Sequence, residues 1–281
     1  MMTPAVYGLL GKNLSHSFSK KYFTKKFVSQ GLHEYKYLNF SVENEAEIGT
    51  VLDTDFLKGF NVTVPYKRAI IAFLDELSEE AATVGAVNTV KKMQNGSWKG
   101  FNTDVIGFEK SFMPMVSRDA VAIVFGTGGA SLAVQYVLRK NNIPFVVVGR
   151  IGSGRAEDVG RGWYGEHGEH GEHGEHATCV EHIGWKVAPK QISYQDITFA
   201  IMQKFNVFIN ATPVGMYPNV EERLPIPYDG FGANTIAFDL VYNPPLTTFL
   251  REAQNRGSTI KNGLEMLHVQ AEASYDIWKS K

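Results

Sequence analysis

Apolar residues along this chain gather in short runs, each closed by glycine, proline or charge. The runs at 5–10, 35–42, 120–125, 143–149, 207–211 and 236–242 are rich in Val, Ile, Leu and aromatic residues. They are too short for buried helices and read as strands. Elsewhere the apolar positions recur at steps of three and four. That spacing predicts helices over 20–30, 45–52, 197–205 and 246–256, with Gly31 stopping the first. It also predicts an apolar helix face through Ile70, Ile71, Phe73, Leu74 and Leu77, and a last helix with Leu264, Leu267, Ala271, Tyr275 and Trp278 turned to the core. Asn95-Gly96 falls between VNTVKKM and SWKGFNT and predicts a hairpin. Strands alternating with helices indicate an α/β protein.

The run at 120–125 leads into GTGGAS (126–131) and then LAVQYVLRK, where Val134, Val137 and Leu138 share one helix face. Strand, glycine turn and helix form the first half of a dinucleotide-binding βαβ unit. Gly126 permits the sharp turn, and Gly128 lets backbone approach a pyrophosphate. Thr127, Gly129 and Ala130 complete the turn, and the helix N-terminus offers N–H groups and partial positive charge to the anion. Ser131 stands where the general G-x-G-x-x-G pattern has its third glycine. The strand at 143–149 ends at Arg150, with no Asp or Glu to take a ribose 2′-hydroxyl. Arginine suits a 2′-phosphate instead. At about 1.5–3 kcal/mol per charged hydrogen bond, it favours NADP over NAD by roughly tenfold or more.

The length of 281 residues suits two medium domains or one large one. A net charge of −1 gives no field that would draw nucleic acid or a membrane surface. The N-terminal stretch shows no targeting pattern, and no apolar run is long enough for a bilayer. Cys179 is the single cysteine, so no intrachain disulfide forms, in keeping with a cytoplasmic location. Residues 166–176 read EHGEHGEHGEH and carry four of the eight histidines. With glycine at every third position and no apolar face, the segment 152–182 reads as a flexible surface insertion. Its histidines suit opportunistic metal uptake without fixed geometry, and no metal site is assigned.

Several polar residues stand out. Ser17 and Ser19 are two apart, so in an extended loop both hydroxyls face one way. One can cap the following helix; the other is left for a polyhydroxylated ligand. In NVTVPYK (61–67), Asn61 and Thr63 fall on one face of a strand, Val62 and Val64 on the other, and Pro65 ends the pairing. Lys67 then opens the next helix, where the helix dipole disfavours a lysine. Such a local conflict is typical of functional sites, although on this fact alone a solvated surface lysine is the favoured reading. Asn88 precedes the first hairpin strand. Asp104 follows the second and stands just before the helical pattern VIGFEKSF, where it reads as an N-cap. Gln270 lies at the edge of the last helix's stripe.

The serine pair, NVTVPYK, GAVNT (85–89), GFNTD (100–104) and GTGGAS, in this order and spacing, resemble the shikimate dehydrogenases. The resemblance runs from Tyr7 to about Gln270 and is weakest between 151 and 205. It implies an α/β substrate domain over 1–104, completed by the C-terminal helix 264–281. It also implies a Rossmann-type NADP domain over 105–263 carrying the insertion, with the reaction in the cleft between them. The implied activity is reversible NADPH-dependent reduction of 3-dehydroshikimate to shikimate in chorismate biosynthesis, by a monomer or homodimer. Ser17, Ser19, Thr63, Asn88 and Asp104 would hydrogen-bond the substrate's hydroxyls and carboxylate. Lys67 and Asp104 would be the catalytic pair. Tyr242 and Gln270 would also reach the substrate. The loop INATPVGMYP (209–218) and the backbone of Leu240 would meet the nicotinamide, with Gly263 as a close-approach point beside Gly126, Thr127, Gly128, Gly129, Ala130 and Arg150. Lys20 departs from the proline usual after the serine pair and should alter the entry to the first helix. The readings left beside this one are a quinate/shikimate dehydrogenase with relaxed cofactor use, a non-catalytic NADP- or metal-binding protein, and a methylenetetrahydrofolate dehydrogenase, for which the serine pair has no evident use.

Overall fold

The computed structural model describes residues 4–14, 17–150 and 192–280. The expected insertion at 152–182, with its EHG repeat and Cys179, lies outside the described residues. The chain divides into two units, Met1–Gly107 with His268–Lys281, and Phe108–Leu267.

Unit 1 contains β1 (Ala5–Gly11), α1 (Phe18–Ser29), β2 (Tyr35–Ser41), α2 (Ile48–Leu52), β3 (Leu57–Val62), β4 (Glu76–Leu77), α3 (Glu79–Val84), β5 (Thr89–Lys92) and β6 (Trp98–Phe101), then the start of α4 (Thr103–Phe112). Among the described residues its sheet has the order β2-β1-β3-β5-β6-β4. The first three strands are parallel, whereas β5 runs antiparallel to β3 and β6. The period of two in β1 is used on both faces. Leu10 joins Ile48, Phe60, Val62, Ile70 and Trp98 on one side. Tyr7 and Leu9 join Phe23, Phe27, Tyr37, Tyr275 and Trp278 on the other.

That second cluster is largely aromatic. Phe23 stacks on Tyr37 with ring centroids 4.7 Å apart, and Tyr7 meets Trp278 at 4.8 Å. The Trp278 indole Nε1 donates to the Val90 carbonyl at 3.0 Å, tying the C-terminal helix to β5. Gly59 makes the approach possible, since a Cβ there would stand 2.5 Å from that indole nitrogen and 2.6 Å from the Val90 oxygen.

Three expectations are corrected here. The apolar stretch 70–77 is no α-helix; a 3₁₀ turn over Ala69–Phe73 gives way to β4. Leu74 and Leu77 instead close over the bare Cα of Gly100 in β6, contacts a continuous helix would not make. β3 ends at Val62, and Val64 is 69% exposed, so the two valines do not share a buried face. Lys67 lies in the turn before the 3₁₀ segment, so the expected conflict with a helix dipole does not arise. The short α3, capped by the Ser78 hydroxyl accepting from Ala81 N–H at 3.1 Å, was not expected; its signal was Ser78 followed by two glutamates.

Unit 2 contains β7 (Ala122–Phe125), α5 (Gly129–Lys140), β8 (Phe145–Gly149), β9 (Ile192–Ser193), α6 (Phe199–Met202), β10 (Val207–Asn210), β11 (Ile236–Asp239), α7 (Thr248–Asn255) and β12 (Thr259–Asn262); α8 (Leu264–Lys279) begins in it. Its described strands form a parallel sheet ordered β12-β11-β10-β7-β8-β9. The strand order reverses between β7 and β10. In open parallel sheets ligands bind at the carboxyl ends beside such a reversal. The glycine turn follows β7, and the loop 211–216 follows β10.

Here too the structure departs from the periodicity. β12 reads TIKN, too polar to look like a strand, and it pairs at the sheet edge. β11 stops at Asp239, so 240–242 leave the sheet. The helix expected over 197–205 is confined to Phe199–Met202. Leu264 is 42% exposed and does not share the core face of Ala271, Tyr275 and Trp278.

Gly59→Ala is expected to displace the Trp278 ring and destabilise the protein by about 1–3 kcal/mol. Thermal or denaturant unfolding followed by tryptophan fluorescence checks this.

Candidate active site

The hairpin sets the first part of the site. Thr89 pairs with Phe101, and Asn88 N–H donates to the Phe101 carbonyl at 3.1 Å. The residue before β5 is thereby held against the residues after β6. Thr103 N–H donates to Asn88 Oδ1 at 2.7 Å. Because that backbone group can only donate, the orientation of the Asn88 amide follows, and its Nδ2 donates to Asp104 Oδ1 at 2.8 Å. Asp104 is the second residue of α4 rather than its cap, and its carboxylate sits in the favourable field of the helix N-terminus. Its other oxygen, Oδ2, takes the Lys67 ammonium in a short ion pair. Both side chains are largely withdrawn from solvent, 14% and 8% exposed. The Lys67 carbonyl accepts from Val87 N–H at 2.7 Å, which holds the lysine's backbone beside Asn88.

Behind this trio lies a buried hydroxyl and amide network. Ser274 is fully buried and donates to the Gln270 carbonyl at 2.8 Å. Its oxygen also meets Thr89 Oγ1 at 2.8 Å, Thr103 Oγ1 at 3.1 Å and Asn61 Nδ2 at 2.9 Å. Asn61 Oδ1 accepts from the Tyr37 phenol at 2.9 Å. Burial pushes that phenol well above its ordinary pKa, and a hydrogen bond from Ser19 opposes the shift. Gln270 Oε1 lies 3.4 Å from both Asn88 Nδ2 and Thr103 Oγ1. Tyr37, Asn61, Thr89, Thr103 and Ser274 were not singled out as a network. Ser274 carried one signal, its place four residues after Gln270 on the same helix.

The serine pair resolves differently from an extended loop. Ser17 caps α1, its hydroxyl accepting from Lys20 N–H at 3.2 Å, while Ser19 is already inside the helix. Ser19 is turned to Tyr37. Thr63 follows β3, its N–H bonded to the Leu10 carbonyl at 2.9 Å and its methyl against Gly11.

In unit 2, Gly126 adopts φ +110°, and a Cβ there would press on Ala211 and Thr212. Gly128 caps α5, and no heavy atom lies within 4 Å of where its Cβ would be. That bare, open position followed by Gly129 and Ala130 in the first helical turn fits a pyrophosphate, with Thr127 in the bend. Ser131 is fully buried and donates to the Gly126 carbonyl at 2.7 Å, which accounts for a hydroxyl where a third glycine would be general. Arg150 is exposed just past β8.

Gly263, expected as a close-approach point, packs on the backbone after β11. Its bare Cα accommodates the Leu240 carbonyl, which a Cβ would strike. Beside it, Asp239 is fully buried and accepts from Asn210 Nδ2 at 3.0 Å, Val241 N–H at 2.9 Å and Thr247 Oγ1 at 2.6 Å. Burial raises its carboxyl to about 7, against the pull of these three donors. Tyr242 is half-buried, and burial raises its phenol. Among the described residues no cluster of His, Cys, Asp and Glu could hold a metal, and no helix is long and apolar enough to cross a membrane.

A parallel sheet reversing beside a glycine-headed helix, with a lysine–carboxylate pair on a separate α/β unit, defines the class of nucleotide-dependent dehydrogenases. The chain belongs to the shikimate dehydrogenase family. The family's model for the shikimate dehydrogenase substrate binding domain matches residues 9–90. Shikimate dehydrogenase (NADP(+)) of Methanococcus vannielii is 34% identical over 281 residues, 96% of this chain and 90% of that protein. The protein of the same name from Staphylococcus aureus strain Newman is 32% identical, over 98% and 92%. Among solved structures, shikimate 5-dehydrogenase of Thermus thermophilus, in complex with NADP(H) and shikimate, is similar at TM-score 0.75 and 29% identity, covering 98% of this chain and 93% of that one. That of Listeria monocytogenes, in complex with shikimate and NAD, gives TM-score 0.77 at 26% identity, covering 99% and 92%.

The raised Asp239 carboxyl has a signed consequence. Between about pH 4 and pH 7 the folded protein holds a proton that the unfolded chain has released, so this group's contribution to stability falls as pH rises across that window. Asp239→Asn lacks the titration. The unfolding midpoint of the wild type, measured relative to that variant, is expected to decline from pH 4 to pH 7 and then level off.

Proposed function

We propose that the protein is an NADP-dependent shikimate dehydrogenase that interconverts 3-dehydroshikimate and shikimate, running toward shikimate in aromatic amino acid biosynthesis. The observation that carries the reading is the ion pair between Lys67 and Asp104, oriented by Asn88, in the unit matched by the substrate-domain model.

When bound, the nicotinamide supplies the hydride chemistry. The chain's own residues bind, orient and move the proton. In the oxidative direction Lys67 takes the proton of the carbinol hydroxyl as hydride leaves carbon; in the reductive direction it returns that proton to the alkoxide oxygen. Asp104 is paired with the Lys67 nitrogen beside the same carbinol, so proton handling belongs to the pair. Ser17, Ser19, Thr63, Asn88, Tyr242 and Gln270 hold the remaining hydroxyls and the carboxylate. Gly126, Thr127, Gly128, Gly129 and Ala130 take the pyrophosphate, and the Leu240 backbone takes the nicotinamide carboxamide. Arg150 meets the 2′-phosphate and favours NADP over NAD. The substrate unit is 1–104 with 264–281 and the NADP unit 105–263.

NADP⁺ reduction, followed by the absorbance of the reduced nicotinamide, with shikimate as substrate and with NAD⁺ and quinate run in parallel, tests the reading directly. The expected result is turnover with shikimate and NADP⁺ well above either substitute; no turnover with any pair would overturn it. Lys67→Met is expected to lower kcat by roughly 10²–10⁴ while leaving shikimate dissociation, read by calorimetry, little changed. Ser17→Ala is expected to raise the shikimate KM more than it lowers kcat and, through the lost cap, to lower stability by about 1 kcal/mol. Steady-state kinetics and thermal unfolding of the same preparation separate the two effects.

A further inference from the structure

Asp239 is a buried carboxylate with no part in proton transfer as described above, yet it gathers three segments at the carboxyl edge of the unit 2 sheet. Through Asn210 it reaches the loop after β10, where Asn210 Oδ1 in turn accepts from Thr212 N–H at 3.0 Å and Thr212 Oγ1 at 2.6 Å. Through Thr247 it reaches the cap of α7, since the same hydroxyl oxygen accepts from Leu250 N–H at 3.3 Å. Its third bond is to Val241 N–H.

This last bond is the informative one. The Leu240 carbonyl and the Val241 N–H belong to one planar peptide unit and point in opposite directions. Holding the N–H therefore aims the carbonyl. The carbonyl is constrained again on its own side, because it lies against the bare Cα of Gly263, whose N–H donates to the Val241 carbonyl at 3.2 Å. Leu240 N–H is also taken, by the Asn210 carbonyl at 2.9 Å. The peptide after Leu240 is thus held at its N–H by Asp239 and at its carbonyl against Gly263.

We propose that Asp239 is a positioning residue for cofactor recognition, aiming the Leu240 carbonyl at the nicotinamide carboxamide. This rests on the reading of Leu240 given above. Asparagine retains an Oδ1 acceptor for Val241 and Asn210 and turns an Nδ2 donor to the Thr247 oxygen, whereas alanine provides neither. The geometry therefore separates the conservative variant from the truncation.

The test is steady-state kinetics of the full chain with both substrates varied, together with NADPH binding by fluorescence titration. Asp239→Ala is expected to raise the NADP⁺ KM and the NADPH dissociation constant about tenfold, the loss of one oriented hydrogen bond, with the shikimate KM moved less than about twofold. Asp239→Asn is expected to restore most of the cofactor affinity. If Asp239→Ala does not fold, Gly263→Ala probes the same carbonyl from its other side and is expected to give the same split between the two KM values. An Asp239→Ala protein that folds with an unchanged cofactor KM, or that raises both KM values equally, overturns the proposal. Absence of activity in the wild type would instead overturn the functional reading.

Discussion

The side-chain amide of Asn88 can face only one way. Its oxygen accepts from the backbone N–H of Thr103, a group that cannot accept, so its nitrogen must face Asp104. One carboxylate oxygen is thereby occupied and the other is left to Lys67. The orientation of the whole ion pair thus descends from a hairpin register, because the pairing of Thr89 with Phe101 is what brings Asn88 level with Thr103. A shift of one residue would turn the amide away and leave a buried carboxylate with a single partner.

A lysine and an aspartate this far from water would be unfavourable if either stood alone. Several features offset the desolvation. Asp104 sits in the first turn of α4, it accepts from Asn88, and the two charges meet in one ion pair. Beyond them, Ser274, Thr89, Thr103 and Asn61 satisfy one another, and Tyr37 closes the network at the aromatic cluster where Phe23 and Trp278 pack. The polar groups behind the pair are thus tied to the packing of α1, β2 and the C-terminal helix. A network of this kind restricts rotamers, and a side chain that cannot swing away is what general acid–base chemistry requires.

Unit 2 uses a second buried carboxylate for a different end. Asp239 sits where β11 leaves the sheet, and its partners lie on β10, on the segment after β11 and at the head of α7. Together with the positive φ of Gly126 and the capped carbonyl beneath Ser131, this fixes the backbone on both sides of the strand reversal. Both units therefore hold the backbone at the ends of strands through hydrogen bonds from buried side chains.

How much of this could be read from residues alone follows from the range of the interactions. The strand–turn–helix at 120–140, the Asn95-Gly96 hairpin and the capping of α1 by one of its two serines depend on neighbours a few positions apart, and the sequence by itself determined them. It also brought Lys67, Asn88 and Asp104 forward as candidates, since each stands at a boundary between elements. Only the tertiary structure decided the rest. Leu74 and Leu77 abandoned a helical face because Gly100, on another strand, left room for them. The polar strand Thr259–Asn262 exists because β11 offers it an edge. Ser274 and Asp239 look like an ordinary helix serine and strand-end aspartate until residues tens to hundreds of positions away supply their hydrogen bonds. Local preference is set by adjacent chemistry, whereas a buried polar group takes its role from partners that only the folded chain brings within about 3 Å.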